Sequence, residues 1–409
     1  MHTQHNKDII RVKNTRLILR LIRNHQPISR ASLSKMSKLT RSTVSSIVSE
    51  LLDNYFIYET EYQLSNLGRP GLLIKLNPNA GCSIGVEIGA EILNVILIDF
   101  TDKVLWQKRI FIPQEVKQPE YINQAEKVID EAIKFAYTKK IRIFGIGVGI
   151  TGIVNKINGE LIFSPDLNWD KLLLYEKWMK TFRIPIFIDN NYNTSVMGEY
   201  YYGKSKGTQN LIYICIEVGI GAGIIINNKI YRGNCGFAGE IGHITIDPKG
   251  DLCVCGKYGC LETIIGTRFV ENKVRKDLEK GVRSKVIEFA DKKLENITFE
   301  NIIMAANDGD PEMIIVVNKW VNTLGIVISN LITLLNPEVV VLGGILKEID
   351  SALVYPIITE IISNHLITPL AQNIKIIRSI YGIDATAMGA TALVLDNILH
   401  DPIFYSEMD

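Results

Sequence analysis

Gly239-Glu240-Ile241-Gly242-His243, Cys253-Val254-Cys255-Gly256 and Gly259-Cys260-Leu261-Glu262 follow one another closely in a chain of 409 residues. One His and three Cys inside eighteen residues form a complete soft-ligand set for a tetrahedral metal. Four protein ligands leave no open position, so a structural Zn2+ on His243, Cys253, Cys255 and Cys260 is expected. Gly256 and Gly259 allow the tight turns that bring the thiolates together. Cys82, Cys215 and Cys235 lack such spacing and read as small buried apolar residues. Three cysteines so close together do not spread like a disulfide framework, so metal binding is the better reading.

On either side of this cluster the pattern is α/β. Ile84–Gly89 and Val95–Asp99 read as a hairpin of buried strands. Ile141–Ile150, Ile186–Ile188, Leu211–Ile216 and Val339–Leu342 read as further strands. Helices are expected over 121–137 and 311–334, giving strands and helices with glycine turns at strand ends. Such glycines can bring backbone N–H groups to phosphates, but single Gly-rich turns are weak evidence and most are simply turns.

The first 78 residues differ. Leu17, Ile18, Leu21 and Ile22 form a helical stripe that Pro27 breaks. Ser29 can cap a short helix carrying Ala31, Leu33 and Met36. Thr40 can cap a third, with Val44, Ile47, Val48 and Leu51 facing inward. Its outer side carries Arg41, Ser42, Thr43, Ser45, Ser46 and Ser49, small hydroxyls and one guanidinium suited to approach a DNA groove. Two helices joined by a tight turn form the helix-turn-helix arrangement. Phe56–Tyr58 and Leu72–Leu76 then read as strands around the hairpin tip Ser65–Gly71, a wing that presents Arg69. A three-helix bundle used for protein contact is the blander alternative.

Charge favours DNA. Residues 1–76 hold 12 Lys/Arg against 5 Asp/Glu, a balance of +7, whereas the remainder holds 33 against 39. The near-neutral net charge of +1 hides this asymmetry. The N-terminus lacks the apolar region of a signal peptide, and no run approaches the roughly 20 apolar residues of a membrane span. A cytoplasmic protein without a membrane partner is expected.

These elements resemble the ROK family of sugar kinases and sugar-responsive repressors. The resemblance rests on GEIGH and CxCGxxGCLE, and on Ser29-Arg30…Leu33, Thr40-Arg41-Ser42-Thr43-Val44 and Gly68-Arg69-Pro70 in the N-terminal segment. It implies a winged helix-turn-helix over 1–78, with Arg30, Arg41, Ser42, Thr43, Ser45, Ser46 and Arg69 at the DNA. An actin/hexokinase-like pair of α/β subdomains follows over 79–409. The first subdomain is expected over 79–197 plus the C-terminal helix, and the second, with the zinc site, over 198–384. By the same resemblance Asn168, Asn190, Asn191, Glu240, His243 and Glu262 contact a sugar. Trp169 and Phe237 are expected near the pocket wall.

The family's kinases take the attacking hydroxyl's proton with an aspartate in a Glu-Asn-Asp element, which here reads Asp189-Asn190-Asn191. An amide at position 191 cannot act as that base. Asp189 is expected two residues along a strand, displaced by roughly 6.5 Å. The first phosphate loop reads Glu87-Ile88-Gly89-Ala90-Glu91 and the second Glu217-Val218-Gly219-Ile220-Gly221, adding carboxylates where phosphates would bind. The implied function is a sugar-responsive repressor without turnover, acting as a homodimer on operator DNA. Its layout resembles the Gram-positive xylose repressors, making xylose the first expected effector and glucose or another hexose the second. An active ATP-dependent sugar kinase with a regulatory N-terminus is the alternative, and a sugar-requiring repressor or activator is a variant.

Overall fold

A computed structural model describes residues 2–60, 72–113, 115–155, 158–349 and 352–400. The expected wing tip, Ser65–Gly71 with Arg69, lies outside them. The chain divides into two compact units. The first contains residues 1–149, 173–189 and 387–409, and the second contains 150–172 and 190–386. The N-terminal helices therefore group with the first unit. Residues 150–172 and 190–197, expected in the first subdomain, group with the second. For residues 190–197 the reason is the helix Asn191–Tyr201, which packs on the second unit's strands.

In the first unit three helices, His2–His25, Arg30–Ser37 and Arg41–Asp53, precede the strands Ile57–Thr60 and Leu73–Leu76. A third strand, Ile28–Ser29, pairs antiparallel with Leu73–Leu76. Ser29 and Thr40 cap their helices as expected, accepting from the N–H groups of Ser32 and Thr43 at 3.1 and 3.2 Å. Val44, Ile47, Val48 and Leu51 are buried as expected. Ala31 and Met36 are not, because the eight-residue helix buries Leu33 alone. In the first helix Leu17 is exposed and Leu19 takes its place in the core.

The helical segment is packed onto the sheet of its own unit. Strands there run in the order Ile186–Asn190, Ile143–Ile150, Cys82–Ile88, Ile92–Asp99, Val104–Phe111. Beyond the fourth strand, Asp99 accepts from Thr101 N–H and hydroxyl and from Lys103 N–H, shaping a turn that presents the Phe100 carbonyl and Asp102. Arg23 of the first helix donates to the Phe100 carbonyl at 3.2 Å and forms an ion pair with Asp102. Phe56, Phe100 and Phe144 pack with ring centroids 5.5–5.9 Å apart beneath this pair. Gly85 and Gly147 serve the C-terminal helix Ala385–His400. A Cβ at either would lie about 2 Å from the Ala387 or Ala390 carbonyl oxygen. These glycines set a helix-to-sheet spacing.

The second unit's sheet runs Lys229–Ile230, Ile220–Ile226, Leu211–Ile216, Val339–Gly344, Lys375–Arg378. Leu211–Ile216 pairs parallel with Val339–Gly344 and antiparallel with Ile220–Ile226. The helix Pro311–Leu335 is long and apolar enough to span a membrane, but Val317, Val321, Leu324 and Ile328 lie in this unit's core.

Breaking the Arg23 docking should cost stability without touching the outer face of the third helix. Arg23→Met is expected to lower urea stability by about 2 kcal/mol. That is less than the ~3–5 kcal/mol of a fully buried pair, because Asp102 keeps some solvent contact. A loss below ~0.5 kcal/mol would show that the ion pair holds nothing in place.

Candidate functional site

Within the second unit, a cavity of about 140 Å3 is lined by polar and apolar residues from several separate segments. Asn190 positions one wall. It ends its strand in an extended conformation, and its Oδ1 accepts from Tyr192 N–H at 2.8 Å and Asn193 N–H at 3.4 Å. Its Nδ2 donates to the Gly152 carbonyl at 2.8 Å. The following helix, Asn191–Tyr201, buries residues 191–200 without a break. It can approach the sheet so closely because its neighbours are Gly221 and Gly223. A Cβ on these would lie 2.0 Å from the Tyr192 ring and 2.3 Å from the Tyr192 carbonyl oxygen.

The second wall is the hairpin Ser164–Trp169, closed by paired backbone hydrogen bonds of 2.9 and 3.0 Å between its ends. Asn168 has a φ of 52° and is exposed, so it shapes the turn, a role to which Asn is suited. Asp166, in the same loop but not among the expected sugar contacts, lines the cavity instead. Trp169 is buried and Phe237 is exposed, and neither lines the cavity. Among the other expected sugar contacts, Asn190, Glu240, His243 and Glu262 are brought together there. Asn191 is not part of the lining. Its side-chain oxygen is buried without a hydrogen-bond partner, while its carbonyl accepts from the Thr194 and Ser195 hydroxyls at 2.8 Å. The chain turns from strand to helix at Asn190, so strand alternation does not relate Asp189 to Asn191.

Two further segments carry the candidate metal ligands. His243 ends the short 3-10 turn Ile241–His243, and the cysteines lie on a loop braced by bridges Leu252–Tyr258 and Thr245–Cys260. Gly256 and Gly259 have φ values of 84° and 68°, and a Cβ on Gly259 would lie 1.5 Å from the Asp247 carbonyl oxygen. One ligand atom from each of His243, Cys253, Cys255 and Cys260 lies within 4.8 Å of the others. Cys253 Sγ is 3.7 Å from His243 Nδ1, and Cys255 Sγ is 3.7 Å from Cys260 Sγ. A tetrahedron with ~2.3 Å metal–sulfur bonds has edges of about 3.8 Å, so the four donors fit one ion. Nδ1 is the imidazole nitrogen near the cysteines, which leaves Nε2 as the ring's other polar edge. Cys82 and Cys215 are buried as expected, and burial pushes the Cys82 thiol up to about 12. Cys235 is exposed, contrary to expectation, because its loop leaves the sheet.

The cavity's ionisation states follow from burial. Burial, reinforced by Asp166, raises Glu240 to about 7. Glu262 is raised to about 7 by burial first and Asp166 next. Burial raises Asp166 as well, opposed by Arg268 and His243, and holds His243 below its usual value. Near neutral pH the cavity therefore presents a neutral imidazole and carboxyl groups able both to donate and to accept.

The phosphate-loop counterparts are occupied by the protein's own bonds. Gly89 N–H donates to the Ile92 carbonyl, and Tyr121 hydroxyl donates to the carbonyls of Gly89 and Ile92. Glu217 N–H donates to the Gly219 carbonyl at 3.0 Å. The DNA-facing candidates are also placed. Arg41, Ser42 and Ser46 are exposed, and Thr43 and Ser45 are half-buried. Arg30 is held by Glu59 at 2.8 Å, which keeps it from reaching a phosphate freely.

Glu240 makes a pH prediction with a definite sign. Its carboxyl rises from an ordinary 4.5 to about 7, so its contribution to stability is full below about pH 4.5 and lost as pH rises through 7. Glu240→Gln, always neutral, should raise the melting temperature relative to the parent at about pH 8, and the gain should shrink towards pH 5. A gain independent of pH in thermal unfolding would contradict it.

The chain is similar along nearly its whole length to known regulators. The xylose repressor of Caldicellulosiruptor bescii is 30% identical over 397 residues, covering 97% of this chain and 99% of the relative. A crystal structure of a ROK family transcriptional regulator, a homolog of the E. coli MLC protein, superposes with a TM-score of 0.82 at 28% identity. It covers 97% of this chain and 99% of its own. A ROK family glucokinase from Streptomyces griseus, in complex with glucose and AMPPNP, superposes with a TM-score of 0.66 at 25% identity. It covers 77% of this chain and all of its own. Residues 12–54 match the winged helix-turn-helix DNA-binding family, and residues 83–397 match the ROK family. The chain is a member of the ROK family, with a winged helix-turn-helix joined to an actin/hexokinase-like α/β body.

Proposed function

We propose that this protein is a sugar-responsive transcriptional repressor whose kinase-like body binds a monosaccharide without phosphorylating it. The observation that carries this reading is one chain holding both a helix with Arg41, Ser42 and Ser46 exposed and a polar cavity, with an amide, Asn191, at the sequence position where the kinases carry their base. The sugar hydroxyls meet Asn190, Glu240, His243 and Glu262, with Asp166 and Tyr192 added by the geometry. Carboxyl groups and a neutral imidazole suit hydroxyls, which both donate and accept. Xylose is the first effector to test, since it is named in the repressor of C. bescii, and glucose or another hexose is the second.

Loss of catalysis is supported by three features. Asn191 cannot take a proton from the attacking hydroxyl. The Gly89 and Glu217 amides are spent on internal bonds. Glu87 and Glu91 place acidic side chains at the counterpart of the kinases' first phosphate loop, and Glu217, raised by burial, stands in that of the second. The function runs through two half-sites about one helical turn apart, read by a homodimer in the cytoplasm. Sugar and operator then compete because each favours a different state of the dimer.

The His243–Cys253–Cys255–Cys260 set holds a structural Zn2+ in this reading. Its task is to fix the His243 ring and the loop bearing Cys253 and Cys255, not to activate a substrate. Purified protein is expected to contain one zinc per chain by elemental analysis. Cys255→Ser should lose most of that zinc and lower the melting temperature by several degrees. Full stability without metal would contradict this assignment.

Two further outcomes follow. Sugar that raises the melting temperature should release no ADP above background from ATP; sugar-dependent ADP release would restore the kinase alternative. Arg41→Ala should weaken binding to the protein's own upstream DNA by about tenfold or more, with a reduced salt slope if phosphate contact dominates. Unchanged binding would favour a protein-contacting N-terminal bundle.

A further inference from the structure

The cavity's lining changes character from floor to mouth. Glu262, Asn190 and Tyr192 are 4%, 6% and 8% exposed, whereas Phe163 and Val254 are 42% and 57% exposed. The buried part of the lining is mainly polar, with Ile220 its apolar member, and the two exposed lining side chains are both apolar. Single exposed apolar side chains are ordinary, but two on the rim of one cavity form a surface that water hydrates poorly.

Both rim residues sit on rigid supports. Phe163 ends the strand Glu160–Phe163 and is the direct cross-strand partner of Ile153, a third lining residue. The two side chains therefore share one edge of a short antiparallel ladder. Val254 stands between Cys253 and Cys255, two of the four residues that converge on the metal position. A collar held this way is pre-organised, so little conformational entropy is lost when a ligand covers it.

We infer that this collar is a second subsite, which holds the ring attached to the bound sugar's glycosidic oxygen, so that the preferred ligand class is a glycoside or disaccharide. The inference rests on the sugar reading proposed above and extends it. The cavity's 140 Å3 is well below the roughly 300–1,000 Å3 that encloses a whole drug-sized ligand. It takes one ring, and the next ring must lie at the mouth. The apolar C–H face of a pyranose, or an aryl group, stacks on Phe163 and covers Ile153 and Val254, while the first ring's hydroxyls stay with the polar floor. A free monosaccharide leaves the collar wet.

Calorimetric titration of the full chain tests this. D-xylose, D-glucose and N-acetyl-D-glucosamine are each compared with their phenyl glycosides and (1→4)-linked disaccharides. For whichever sugar binds, the two-ring ligand is expected to bind about tenfold tighter than the free sugar. Phe163→Ala should abolish that gain, leave the free sugar within about twofold, and keep the zinc content of the parent. Val254→Ser, on a separate element, should remove part of the same gain. Free sugar that binds while its glycosides bind no tighter overturns the second subsite but leaves the sugar reading intact. Equal weakening of both ligand types by Phe163→Ala also overturns it. Failure of every sugar and glycoside to bind overturns the sugar reading itself.

Discussion

Asn190 makes three hydrogen bonds that give a sheet strand, a buried helix and a cavity wall their common origin. Two of them cap the helix Asn191–Tyr201, and the third ties the side chain to the Gly152 carbonyl. A side chain without both an acceptor and a donor could not do this, which is why an amide stands at the turn. The helix it starts is buried for ten residues, and Gly221 and Gly223 give it the room. The same helix reaches Thr386 through the Ser195 hydroxyl at 3.0 Å, and Ser379 and Ile380 through Glu199. Fixing Asn190 therefore fixes Tyr192 in the cavity and the segment that leads into the C-terminal helix.

The DNA-reading segment is not an appendage on a linker. Arg23, Phe56 and the turn at Phe100–Asp102 join it to the sheet of the first unit. These contacts seat the helices that carry Arg41 and its neighbours on that sheet.

Much of this could be read from residues alone, where the signal is local. Caps at Ser29 and Thr40, the buried side of the third helix, and strands such as Leu211–Ile216 follow from spacing and turn chemistry. The convergence of His243 with the three cysteines was legible because such residue types so close in sequence point to one cluster. What escaped depends on tertiary placement. Arg23 looks like any surface arginine until its buried position on Phe100 is known. Asp166 and Asn168 lie two apart in one hairpin, and only the left-handed backbone at Asn168 decides which one reaches the cavity. The glycines of Ile220–Ile226, near a phosphate-loop counterpart, proved to be spacers for Tyr192 and Val196.

The central claim is that sugar occupancy and operator occupancy oppose each other in a protein that performs no phosphoryl transfer. Its most direct test is operator affinity, measured by fluorescence anisotropy with and without saturating sugar in the absence of ATP. The account predicts a loss of affinity of about 5–150-fold, the range of an ordinary coupling free energy. It also predicts that Glu240→Ala, which removes a hydroxyl partner from the sugar site, retains operator binding and loses the response. An operator affinity unchanged by every sugar that the protein binds would contradict the account.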